Sequence, residues 1–267
     1  MMPFIGTAGY PPGSRGPSDA LRRLTAASLD AMEVQFVRQV SMSLERAEAL
    51  GNEAAAAGVR LSAHAPYYVN FNSANVETRD RSVMWVLESL RRAQAMGASV
   101  VVVHAASYGK EQENATARVE EGLLRVRERM DDEGIRTAIG LETMGKRGSW
   151  GTLEEIASVA ASVEGTVPVL DFAHMHARSA GGLRSADDFA EIIAECRSIS
   201  GEDPHCHVSG VEYGDKGERK HLPLDSKEPD YGLLAEASEH LGEDAVLIVE
   251  SPRPLDDAVL LRGMLQG

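Results

Sequence analysis

Short apolar runs recur along the chain, and stretches with helical periodicity lie between them. The runs fall at 3–8, 31–37, 60–66, 99–105, 136–143, 167–173, 204–209 and 245–251. VVVV and VLIV, inside two of them, offer no polar face. A strand of that kind is buried on both sides, as in a parallel sheet covered by helices. The eight runs start 28 to 41 residues apart, the length of a β-loop-α-loop unit.

The intervening segments carry start and stop signals for helices. SMSLERAEALGNEAAAAGVR is rich in Ala and Leu and closes at Gly58. RSVMWVLESLRRAQAMGAS places Val83, Val86, Leu87, Leu90 and Ala93 on one face and closes at Gly97. Thr152 and Glu155 stand at capping-box spacing, as do Ser185 and Asp188. RPLDDAVLLRGML reads as a further helix. Eight such units in 267 residues predict an α/β fold, a (β/α)8 TIM barrel forming a single domain over 1–267. An open doubly wound sheet is the competing architecture. GTAGYPPG, after the first run, does not match the glycine-rich phosphate loop of such sheets.

Composition changes this picture little. Two cysteines, Cys196 and Cys206, in so long a chain point to a reducing, cytoplasmic setting rather than a disulfide scaffold. No run has the roughly 18 apolar residues of a membrane span, and no export signal is visible. The net charge of −14 argues against broad electrostatic binding of nucleic acid, unless metal ions cover some of the acids. The 22 Arg and 5 Lys do not separate the possible causes of that bias.

Barrel enzymes carry their chemistry at the C-terminal ends of the strands, and this chain's polar residues gather there. The second strand has Glu33, with Arg38 just after it. The third ends in His64, before Ala65-Pro66-Tyr67. The fourth ends in His104, and the fifth carries Glu142. The sixth gives Asp171 and His174, the seventh His205 and His207 with His221 in its loop, and the eighth Glu250. Of eight histidines, only His240 falls in an outer helix. One strand-end His or Glu is usually a hydrogen-bonded structural residue; the joint placement is what matters. Crowded without ions, these groups would repel or desolvate one another, whereas divalent cations keep carboxylates ionised and imidazoles neutral. A His/Asp/Glu set with no thiolate favours zinc, then manganese or iron. The donors exceed what one ion can use, so at least two ions are expected. His176 is expected behind the ligands or at the surface. His205, one layer below His207 on the same face, is expected to make a structural hydrogen bond.

HAPYYVN (64–70), VVVHAAS (101–107), GLETMG (140–145), LDFAHMHA (170–177), HVSG (207–210), KHLPL (220–224) and VESP (249–252) occur in the order found in endonuclease IV. The chain resembles that zinc-dependent apurinic/apyrimidinic endonuclease family over nearly its whole length. The resemblance implies an eight-stranded barrel with zinc ions, incision 5′ to an abasic site by a hydroxide held between ions, and damaged double-stranded DNA as partner. It implies His64 and His104 on a first ion and Glu142 bridging to a second. Asp171, His207 and Glu250 would join the second ion, and His174 and His221 a third. Glu142 and Glu250 would be catalytic, and Arg38 and Tyr67 would contact DNA. A monomer is expected. One departure stands out: the family has Asp-x-His in the loop after the seventh strand, whereas GERKHLPL has Arg219 two before His221. A cation cannot ligate, so either Glu218 substitutes or the third ion is weak or absent. The alternatives are a metal-dependent sugar isomerase or epimerase on the same barrel, and a non-catalytic DNA-binding relative.

Overall fold

The structure, a computed structural model, describes residues 2–267. Eight parallel strands close into a barrel. In chain order they are β1 (Phe4–Ala8), β2 (Ala31–Gln35), β3 (Arg60–His64), β4 (Val100–Val103), β6 (Ala138–Glu142), β8 (Thr166–Asp171), β9 (His205–Val208) and β12 (Val246–Val249), with β12 pairing back onto β1. All eight fall on the apolar runs of the sequence. Two further pairs project from this framework, β5 (Ala106–Ser107) with β7 (Ser149–Trp150), and β10 (Gly210–Gly214) with β11 (Gly217–Leu222).

The helices are α1 (Pro17–Ala26), α2 (Leu44–Ala57), α3 (Val76–Ala95), α4 (Ala115–Glu133), α5 (Leu153–Ala160), α6 (Phe172–Arg178), α7 (Ala186–Ser200), α8 (Tyr231–Glu236) and α9 (Pro254–Leu265). The capping boxes at Thr152/Glu155 and Ser185/Asp188 both form. Gly58 ends α2 in the left-handed conformation. Helix α3 begins earlier than its apolar pattern suggests, because Asn75 caps Glu77 and starts it at Val76. Among the described residues, no helix is long and apolar enough to cross a membrane.

Most of the core lies between strands and helices, as in the contact of Leu61, Val101, Leu141 and Leu170 with helix side chains. Inside the barrel, two small apolar clusters stand apart from it. One holds Ala31, Val246 and Ile248; the other holds Val100, Val102 and Val169. These are alternate strand positions, so they mark the inward face by the period of two. Continuing that period toward the strand C-termini brings Glu33, Gln35, His64, Glu142, Asp171, His207 and Glu250 inward. Strand register sets their levels, with Asp171 opposite His207, Gln35 opposite His64 and Glu33 opposite Ser62.

Candidate metal centre

Each donor is held by its own backbone neighbourhood. The β8 strand runs into α6 without a loop, and Asp171 is both the last strand residue and the helix N-cap. Its Oδ1 accepts the His174 N–H at 2.7 Å. The apolar run therefore does not extend as strand to 173; His174 stands in the first helical turn, on the same side as Asp171. Carbonyl oxygens cannot donate, so three histidines have assigned tautomers. His64 donates Nδ1–H to Ala65 O (2.8 Å), His174 to Thr143 O (2.9 Å) and His221 to Glu250 O (3.1 Å). In each, Nε2 is the nitrogen left to ligate once its proton is lost.

Glu142 sits at the middle, 1% exposed. Its Oε2 lies 3.2 Å from His64 Nε2 and 2.7 Å from His104 Nε2. Its Oε1 lies 3.2 Å from His174 Nδ1 and 3.4 Å from His207 Nδ1. Three donor groups have the spacing to hold a cation: His64, His104 and Glu142; Glu142, Asp171, His207 and Glu250; and Asp171, His174 and His221. They are joined through Glu142 and Asp171.

The fit to cations is shown by what these residues leave unpaired. Glu142 Oε1, Asp171 Oδ2 and His207 Nδ1 are buried and have no hydrogen-bond partner. An unpaired buried polar atom costs about 1–3 kcal/mol, more when charged. Three such atoms facing one space, all with lone pairs, match a divalent ion. With no ion, protons take that role. Burial alone would lower the His64 and His174 pKa values, but Glu142, and for His174 chiefly Asp171, outweigh it and raise them to about 9 and about 10. His207 is likewise raised, against burial, chiefly by Glu250 and Glu33. Burial raises Asp171, while the histidines around Glu142 overcome burial and lower it.

The xylose isomerase-like TIM barrel family matches residues 21–264. The chain belongs to this family. It is 30% identical to an uncharacterized protein of Methanocaldococcus jannaschii, over 98% of this chain and 96% of that one. It is 29% identical to the probable endonuclease 4 of Oceanobacillus iheyensis over 52% of this chain, and spans about half (47%) of that protein's length. Among solved structures it superposes on a D-tagatose 3-epimerase-like protein (TM-score 0.77, 21% identity, 100% and 96% of the chains). It also superposes on endonuclease IV from Thermus thermophilus (TM-score 0.75, 22% identity, 100% and 99%). These two structures show the barrel alone.

In this member of the xylose isomerase-like barrels, the β10–β11 hairpin answers the question raised by Arg219. Val211 pairs with His221 and Glu212 with Lys220, but Tyr213 pairs with Glu218, so the register slips at Arg219. Without this bulge, Arg219 and His221 would share a face and Glu218 would oppose them. With it, Glu218 joins His221. Glu218 Oε1 is 3.6 Å from His221 Nε2, and Oε2 is 3.4 Å from His174 Nε2. Arg219 and Lys220 turn out toward Glu212 (3.6 and 3.0 Å). The close approach needs Gly145, since a Cβ there would lie 2.8 Å from Glu218 Cβ and 2.9 Å from His174 Cδ2.

Other candidate residues lie outside the three groups. His176 is buried but bonds Glu228 (2.9 Å) and accepts the Leu183 N–H. His240 is at the surface, beside Glu239. Tyr67 is exposed, with its hydroxyl 3.2 Å from that of Tyr68. Its backbone N–H donates to Val37 O (3.2 Å), which sets Tyr67 and Arg38 on one stretch of the rim, and Tyr68 and the Arg38 guanidinium lower its phenol pKa. His205 bonds Glu33 at 3.1 Å. Sequence reading did not foresee the reach of Gln35, whose amide touches both Glu33 (2.9 Å) and Glu250 (3.3 Å). Its place two positions after Glu33 on one strand face was the available clue.

Proposed function

We propose that this chain is a metal-dependent phosphodiester hydrolase of the endonuclease IV type, cutting DNA 5′ to an abasic site. One observation carries the reading: three donor groups, five of whose members are histidines, share Glu142 and Asp171 at the barrel mouth. His64, His104 and Glu142 would hold one ion. Glu142, Asp171, His207 and Glu250 would hold a second. His174 and His221, with Asp171 or Glu218, would hold a third. Zinc fits this donor set, with manganese as the next candidate. Such ions, when bound, supply Lewis acidity and lower the pKa of water.

The chain's own groups supply the rest. Glu250 is more open than Glu142 or Asp171, with 15% side-chain exposure. It orients the attacking water and takes up its proton, while Gln35 holds its other oxygen. Glu142, buried and shared, fixes the spacing of the groups around it. Arg38 and Tyr67 approach the DNA backbone and the gap left by the missing base. An abasic nucleotide leaves the stack at low cost because it has no base to unpair. Beside Gln35, a cavity of about 480 Å³ lined by Tyr10, Phe36, Met42 and Arg46 offers stacking and cationic surfaces to a flanking nucleotide.

A sugar epimerase or isomerase is the second reading. It is favoured by the four-residue group around Glu250, which suffices for one ion polarising adjacent sugar oxygens. Incision of a synthetic abasic duplex in zinc, with His64→Ala and Glu142→Gln as controls, separates the two. Wild-type protein that leaves the duplex whole yet interconverts ketoses and aldoses defeats the nuclease reading.

A further inference from the structure

Beneath the mouth lies a second His/carboxylate set, Glu33, His205 and His207, which also has the spacing of a metal group. Its chemistry differs from that of the groups above it. The Glu33 carboxylate is fully buried, yet neither oxygen lacks a partner among the described residues. Oε1 accepts from Gln35 Nε2 (2.9 Å) and lies 3.1 Å from His207 Nε2. Oε2 accepts from Ser62 Oγ (3.0 Å) and His205 Nε2 (3.1 Å), and lies 3.2 Å from His207 Nε2. Hydroxyl, amide and imidazole N–H donors converge on it. A cation there would have to displace them, and would also need the Nε2 proton of His207 removed. The unpaired donor atoms of the mouth lie on the other side of His207, at its Nδ1, Asp171 Oδ2 and Glu142 Oε1.

We propose that Glu33 is a positioning residue for the metal centre: it holds the His207 ring by its Nε2–H and so makes Nδ1, which faces Asp171, Glu142 and Glu250, the nitrogen that would ligate. The carboxylate cannot donate, so the Nε2 position carries the hydrogen whenever the pair is intact. His207 differs from the other candidate ligands whose ring hydrogen is fixed by a partner. His64, His174 and His221 are fixed by backbone carbonyls and face the centre with Nε2, whereas His207 is fixed by a side chain and faces it with Nδ1. An anionic acceptor on the far nitrogen also makes the ligating nitrogen more basic. Ser62 and His205 act on Glu33 alone and hold it in place.

The inference rests on the metal reading of the mouth and is independent of which substrate is cut. Its test is zinc binding by chelator competition, together with nitrogen-15 spectra of histidine-labelled, zinc-loaded protein. Wild type should show one imidazole with Nε2–H and a metal-shifted Nδ1, absent in His207→Ala. Glu33→Ala should lose that signature and weaken one zinc about 10–100-fold, leaving the zinc of the His64 and His104 group unchanged. Glu33→Gln keeps the shape and one acceptor oxygen, and should fall between, which guards against loss of fold in the Ala variant. Ser62→Ala, which removes a bond to the same carboxylate without touching His207, should keep the signature. Unchanged zinc affinity and unchanged spectra in both Glu33 variants overturn the proposal. So does a zinc lost on His205→Asn, which would make the lower set a metal site. Wild-type protein that takes up no zinc overturns the metal reading along with it.

Discussion

Glu218 Oε2 lies 3.4 Å from the Nε2 of His174, across the gap between hairpin β10–β11 and helix α6. Sequence alone puts an arginine where a carboxylate is expected. The structure supplies the carboxylate from the neighbouring position, by bulging Arg219 out of register. Glu218→Ala is therefore expected to weaken the most loosely held zinc by at least about 10-fold, read by competition with a chromogenic chelator. Arg219→Ala should leave every zinc in place. The reverse ranking would mean that the bulge does not govern this group.

Gly145 permits that approach. Gly145→Ala forces Glu218 and His174 apart, because both lie under 3.0 Å from the added Cβ. The variant should lose the same zinc as Glu218→Ala while the His64 and His104 group keeps its own. Elemental analysis after gel filtration distinguishes this from general unfolding, in which all bound zinc disappears together.

Protonation gives a third check. In the metal-free protein, His64 and His174 have pKa values of about 9 and about 10, and His207 is also raised. Zinc needs their lone pairs, so loading near pH 7.5 should release about three protons per chain, measurable with a pH indicator in weak buffer. The same shifts set a stability profile. The folded pKa values exceed the ordinary imidazole value of 6.5. Their contribution is therefore fully present below that pH and is lost as pH rises through 9 to 10. Metal-free protein should melt at a lower temperature at pH 10 than at pH 6.5, and bound zinc should flatten that slope.

Tyr67 and Arg38 form one patch but act differently. Tyr67→Ala is expected to raise KM for an abasic duplex about 5–100-fold through lost stacking. Arg38→Ala should lower the slope of log binding constant against log salt by about 1. A kcat effect with no change in binding, for either variant, would remove the patch from the DNA surface.

The Thr152 capping box tests the scaffold alone. Thr152→Ala should cost about 1 kcal/mol of stability, seen as a small drop in melting temperature with zinc content unchanged.

The barrel was legible because its strands are apolar on both faces and are spaced by the length of one helix and two loops. VVVV and VLIV could hardly be anything else in that setting. The residues of the three groups were legible as well, because strand ends converge in a barrel whatever their separation in sequence. Helix α6 was hidden, since VLDFA continues the apolar run while the backbone turns helical at Phe172. The hairpin was hidden for the opposite reason. GVEYGDKGERKHL has no apolar alternation, and a bulge leaves no mark in composition. Glu33 was visible as a strand residue, but its engagement with His205 and His207 depends on register across a closed sheet.

Asp171 has one oxygen in the scaffold and one that the proposed metal centre would use. Oδ1 caps α6, and Oδ2 is left free toward the mouth. Replacing it with asparagine keeps an oxygen for either duty but not for both, so a variant selected for a stable fold can be blind to whether the ions remain. In this barrel a stable metal-free fold is a poor proxy for a working centre, and screens for repaired variants need to count metal directly.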